Sequence, residues 1–126
     1  MEYNFDNERP IYIQLVEIIK IKIVSGKLKK GEKIPSVREL ALIMKVNPNT
    51  IQKALTELES QKLIFTERTN GKYVTEDEKL IDGVKKELAK EKVNNYLNSM
   101  TAIGISLEES IEYLKDLGGK NGISWM

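Results

Sequence analysis

Apolar residues recur at helical spacing in five stretches of the chain, separated by polar connections that carry glycine or proline. In the first, Ile11, Leu15, Ile18, Ile19 and Val24, with Ile21 or Ile23, fall on one broad face. Pro10 suits the first helical position, where its missing N–H costs nothing, and Gly26 suits a C-terminal cap. The spacing predicts a helix over about residues 10–25. The segment KLKKGEKIP that follows reads as a polar connection.

Two short helices come next. Ser36-Val37-Arg38-Glu39 matches a capping box and opens a helix to about Met44 that buries Val37, Leu40, Ala41 and Met44. Asn47 then caps a third helix, with Pro48 in its first turn, running to about Gln61. Its buried residues are Ile51, Ala54, Leu55 and Leu58. Two helices joined by a tight turn make a helix-turn-helix. Leu63 to Thr66 and Tyr73 to Thr75 are β-prone, and Asn70-Gly71 between them is a hairpin signal, because glycine and asparagine supply positive φ cheaply. A hairpin directly after a helix-turn-helix is the pattern of a winged helix.

The remainder is helical. Thr75 with Glu78 reads as a capping box opening a long helix over about 76–102, carrying Leu80, Ile81, Val84, Leu88, Val93, Tyr96, Leu97 and Met100. Gly104 breaks it. Ser106 with Glu109 starts a fifth helix bearing Leu107, Ile111, Leu114 and Leu117 before Gly118-Gly119. A tail over 119–126 has no period, and Trp125 within it is expected to pack. The expected fold is mainly α with a small β-hairpin. A winged helix-turn-helix domain spans 9–75, and a two-helix dimerisation region spans 76–118.

Composition narrows the chemistry. There is no cysteine and no histidine, which removes disulfides, thiolate metal sites, the commonest general base and the commonest transition-metal ligand. No spacing gathers Asp, Glu, Lys, Ser or Tyr into a set with an orienting partner, so an enzyme is not expected and no cofactor or metal is implied. No apolar run approaches a membrane span, and the N-terminus does not resemble a signal peptide, so a cytoplasmic protein is expected.

Charge is uneven. The net charge is +1, yet residues 9–75 hold 13 Lys or Arg against 6 Glu. Such an excess over one segment points to an anionic partner, although solvated lysines are common on any surface. A helix-turn-helix presents the start of its second helix to the major groove. With Ile51, Ala54, Leu55 and Leu58 inward, Asn49, Thr50, Gln52, Lys53 and Thr56 are left outward or at the boundary. Asn and Gln bond adenine bidentately, and Lys reaches guanine or phosphate. Polar residues are also what any exposed helix start carries, so the order of the motifs and the local charge decide the reading. Arg38, in the first turn of the second helix, either reaches the sugar–phosphate backbone or forms an intramolecular salt bridge. Arg68 and Lys72 flank the hairpin tip at Asn70-Gly71.

Pro35-Ser36-Val37-Arg38-Glu39-Leu40-Ala41, then Val46, Thr50-Ile51-Gln52-Lys53-Ala54-Leu55 and Leu58-Glu59, resemble the winged-helix domain of the GntR family of bacterial transcription regulators. Pro10-Ile11-Tyr12-Ile13-Gln14-Leu15 and Val46-Asn47-Pro48-Asn49-Thr50 resemble its small YtrA-like branch. The resemblance implies a homodimeric repressor, often of transport genes, that holds a double-stranded DNA operator. The implied DNA-binding residues are Ser36, Arg38, Asn47, Asn49, Thr50, Gln52, Lys53, Arg68, Asn70, Gly71 and Lys72. Many members carry arginine at the positions of Pro48 and Gln52, so amide-based readout is expected here instead. An apolar stripe on a long helix needs covering, which a twin supplies; folding back on the winged helix is the other reading. The expected dimer residues are Leu80, Val84, Leu88, Val93, Leu97, Met100, Ile111 and Leu114. About 50 residues after Thr75 are too few for a large ligand-binding domain. A small effector at a dimer interface is neither named nor excluded. An adaptor that binds proteins without reading DNA is the competing function.

Overall fold

The computed structural model describes residues 4–120. The chain has five helices and one hairpin in the order α1 (Ile11–Val24), α2 (Val37–Met44), α3 (Pro48–Ser60), β1 (Ile64–Glu67), β2 (Gly71–Val74), α4 (Glu78–Ala102) and α5 (Leu107–Lys120). It divides into two compact units at Lys85–Lys86. The expected tail residue Trp125 lies outside the described residues, and α5 runs through Gly118-Gly119 to Lys120 rather than stopping before them.

In the first unit α3 packs against α1, α2 and β1. Leu15, Ile19 and Ile23 of α1 meet Leu40 and Met44 of α2, Ile51, Ala54, Leu55 and Leu58 of α3, and Leu63, Ile64 and Val74 of the hairpin region in one core. The choice left open between Ile21 and Ile23 falls to Ile23, which is buried, while Ile21 is 41% exposed. Ile11 is also exposed, and its turn of α1 buries Gln14 instead. The Gln14 amide accepts from the Asp6 backbone N–H at 2.9 Å and donates to the carbonyls of Asp6 and Arg9 at 3.0 and 2.9 Å. A buried amide with its bonds made costs little, so residues 6–9 are strapped across the start of α1. Pro10 is the N-cap, with ψ of 138°, and not the first helical residue.

Local hydrogen bonding sets the helix starts. Ser36 and Glu39 form both halves of the capping box at α2. Asn47 accepts from the Asn49 N–H at 2.8 Å and caps α3. At α4 the expected Thr75–Glu78 box is absent. Asp77 caps it, accepting from the Leu80 N–H at 3.1 Å, and Glu78 instead pairs with Lys30. Between α2 and α3 the chain reverses at Lys45, whose φ of +56° ends the first helix in left-handed geometry.

The hairpin pairs Ile64 with Val74 through to Glu67 with Gly71. Its loop is therefore Arg68-Thr69-Asn70. Gly71 alone takes positive φ (+103°), so the two-residue turn expected at Asn70-Gly71, which needs positive φ at both positions, does not form. The connection after α1 is not merely a linker. Ile34 N–H donates to the Lys72 carbonyl at 2.8 Å and Val74 N–H to the Glu32 carbonyl at 2.9 Å, adding a short third row to the sheet.

The start of α4 also serves this core. Ile81 is buried in it, and Leu80 and Val84 pack against it. Those two residues were expected at a dimer interface; the core takes up part of their surface because the helix begins directly after β2. In the second unit Tyr96 Oη donates to the Ser110 carbonyl at 2.7 Å. Val93, Leu107, Ile111, Leu114 and Leu117 are 41–56% exposed.

Candidate nucleic-acid interface

The exposed stripe of α3 follows from its period. With Ile51, Ala54, Leu55 and Leu58 buried, residues 49, 52, 53 and 56 stand at i, i+3, i+4 and i+7 on the outward side. Asn49 lies in the first turn with its side-chain amide uncommitted. Thr50 is half-buried at the boundary, and Gln52 Nε2 reaches Thr56 Oγ1 at 3.4 Å. The Asn47 Oδ1 makes the capping bond that sets where α3 begins. Asn49 and Gln52 therefore offer two amides near the N-terminal end of one helix, the chemistry that fits an adenine edge.

Lys53 stands differently from its neighbours. Its Nζ lies 4.0 Å from the centroid of the Tyr12 ring, held over an aromatic face from α1. A cation in that position is partly neutralised by the ring and placed by it. Tyr12 was not among the expected site residues; its position in the first helix gave no signal that it would lie beneath α3.

Arg38 is exposed at the start of α2, and among the described residues its guanidinium has no hydrogen-bond or ion-pair partner. The Ser36 hydroxyl, two residues earlier, accepts from the Glu39 N–H in the cap. At the hairpin, Arg68 and Asn70 are exposed in the loop, and Phe65 stacks on its cross-strand partner Tyr73 at 5.9 Å between ring centroids.

Lys72 is engaged within the protein. Its Nζ donates to Glu59 Oε1 at 2.7 Å and to Thr66 Oγ1 at 2.8 Å, while Thr66 Oγ1 donates to the same Glu59 oxygen at 2.8 Å. Lys72 points back toward the end of α3. The Lys72 ammonium, helped by the Thr66 hydroxyl, holds the Glu59 carboxyl below the usual glutamate range. Sequence reasoning missed Glu59 because its partner sits across the hairpin turn.

No group of His, Cys, Asp or Glu among the described residues is placed to hold a metal ion, and no described helix is long and apolar enough to cross a membrane. Residues 11–74 match the family model described as bacterial regulatory proteins, gntR family. The HTH-type transcriptional repressor YtrA of Bacillus subtilis (strain 168) is 39% identical over 118 residues, covering 88% of this chain and 90% of that protein. The solved structure of a GntR family transcriptional regulator from Listeria monocytogenes superposes with a TM-score of 0.83 at 43% identity, covering 89% of this chain and 98% of that one. The structure of AraR(DBD) in complex with operator ORR3 matches with a TM-score of 0.52 at 32% identity, over 60% of this chain and 90% of that chain. These relatives are transcription regulators and not enzymes. A winged helix with this sequence pattern, matched over its whole length, places the chain in the gntR family of bacterial regulatory proteins.

Proposed function

We propose that this chain binds a pseudo-palindromic DNA operator as a homodimer and represses the genes beside it, transport genes among them. The observation that carries the reading is the outward start of α3, where Asn49 and Gln52 stand exposed, together with an exposed Arg38 in the first turn of α2 that has no partner among the described residues. The amides supply base readout, and Arg38 and Arg68 supply phosphate contacts. The operator-bound AraR domain supports this use of the fold, and the repressor name of the YtrA relative supports the direction of control. Residues 9–75 form the DNA-binding part, and the region after it forms the dimer, with Leu88, Val93, Leu97, Met100, Ile111 and Leu114 covered by the twin. The exposure of Val93, Ile111 and Leu114 supports that covering.

The test is selection of duplexes from a random-sequence library by the full chain, followed by binding measurements at several salt concentrations. An inverted repeat with half-sites about one helical turn apart is expected. Equal affinity for all sequences at every salt concentration rejects operator recognition. Light scattering on the protein alone and on the selected duplex reports its stoichiometry; one chain per duplex rejects the dimer.

A further inference from the structure

The three hydrogen bonds among Glu59, Thr66 and Lys72 close a triangle between the end of α3 and both strands of the hairpin. Thr66 and Lys72 are cross-strand partners, one pair before the end of the ladder, so the triangle grips the wing just below its loop. Glu59 lies on the last turn of α3, the helix whose first turn carries Asn49 and Gln52. The Lys72 side chain is only 21% exposed, and the Glu59 side chain 38%. A lysine on a DNA-facing wing invites the reading that it binds phosphate. In this geometry its ammonium has two good acceptors within the protein, and a phosphate would have to displace a carboxylate from it.

We infer that Glu59, Thr66 and Lys72 form a lock that fixes the wing against the recognition helix, making Glu59 and Lys72 positioning residues for DNA binding rather than phosphate contacts. The inference rests on the operator-binding reading. α3 and the loop at Arg68-Thr69-Asn70 can meet one duplex together only if the angle between helix and hairpin is held. The core at Leu63, Ile64 and Val74 anchors the base of the hairpin, and the triangle holds it close to the tip. Protein–protein bonds made before DNA arrives reduce the ordering cost of binding.

The two roles of Lys72 predict opposite results for Glu59→Gln. If Lys72 is a phosphate contact restrained by Glu59, removing the carboxylate's charge frees a cation, and affinity rises with a steeper salt dependence. If the triangle is a lock, affinity falls. The experiment uses the full chain and the duplex that the unaltered protein selects from a random library, with a scrambled duplex of equal length as reference. Glu59→Gln and Lys72→Met are each expected to weaken binding to the selected duplex up to about fivefold, the range of a partly exposed ion pair. The slope of log affinity against log salt should stay unchanged, whereas loss of a phosphate contact lowers it by about 0.9. The double variant should be no worse than either single one. The charge-reversed pair Glu59→Lys with Lys72→Glu should recover affinity, because the Thr66 hydroxyl can both donate and accept. Circular dichroism and thermal melting of each variant separate a loosened wing from an unfolded chain. A lowered slope for Lys72→Met, or tighter binding by Glu59→Gln, overturns the lock. A failure of the unaltered chain to prefer any duplex overturns operator recognition itself, a separate result.

Discussion

Lys53 Nζ rests 4.0 Å from the centroid of the Tyr12 ring, so a cation on the outward side of α3 is held by the first helix of the chain. α1 and α3 already pack through Leu15, Ile19, Ile51 and Leu55. The ring extends that packing to the surface and limits where the ammonium can go. Tyr12→Leu removes the aromatic face, and a loss of about 1 kcal/mol in unfolding free energy is expected. Tyr12→Phe keeps the ring and should stay within a few tenths, about 0.3 kcal/mol, of the unaltered protein. Urea unfolding measures both. Equal losses in the two variants would mean that the hydroxyl, not the ring, matters.

Two caps define the helix-turn-helix. Ser36→Ala removes the hydroxyl that accepts from Glu39, and Asn47→Ala removes the amide that accepts from Asn49. Each should lower stability by about 1 kcal/mol. Asn47→Ala should in addition weaken DNA binding beyond its stability cost, since the first turn of α3 carries Asn49. A stability loss with unaltered DNA affinity would confine Asn47 to folding.

Backbone geometry gives a prediction of the opposite sign. Lys62 follows α3 with φ of +63°, a conformation in which its Cβ is crowded. Lys62→Gly should raise stability by roughly 0.5–1 kcal/mol, the left-handed strain relieved less the entropy glycine adds to the unfolded chain. Gly31 has φ of +73°, and a Cβ there would meet Glu76 Oε1 at 2.9 Å. Gly31→Ala should therefore destabilise by about 1 kcal/mol or more. Chemical denaturation of the pair tests the sign of each, and a stabilised Gly31→Ala would contradict the strain.

Acid should weaken the fold through specific carboxylates. Hydrogen bonds from Lys72 and Thr66 lower the pKa of Glu59, the Ser36 backbone N–H lowers that of Glu39, and a hydrogen bond from Lys30 lowers that of Glu78. A carboxyl with a folded pKa below its unfolded value contributes stability that is fully present above the unfolded pKa, about 4.3 for glutamate. That contribution is lost as pH falls through the folded value. Unfolding free energy should thus be level from neutrality to about pH 5 and then fall. The fall should be shallower in Glu59→Gln, which has no charge to lose there. An identical acid slope in that variant would show that Glu59 takes no part.

Much of this was legible in the chain because it is local. Capping at Ser36, Asn47 and Ser106 depends on residues two or three positions apart, and all three caps form. The inward face of α3 follows from helical period alone, and Ile51, Ala54, Leu55 and Leu58 are all buried. The family resemblance rests on short local motifs too, and all of their residues except Pro10 lie within the matched residues 11–74. What local pattern could not supply were the partners of long side chains. Lys72 and Glu59 are 13 residues apart, and only the return of the hairpin onto α3 brings them together. Lys53 finds Tyr12 through helix packing, and Glu32 and Ile34 find β2 because the chain after α1 passes along the hairpin edge. Leu80 and Val84 pack in part against the core, a contact between segments that helical period alone does not specify. Sequence determined where α2, α3 and α5 begin and which face of α3 turns inward, since caps and periodicity act over one or two turns. Tertiary structure decided the partners of Lys53 and Lys72, because the groups within reach of a long side chain are set by packing between distant segments.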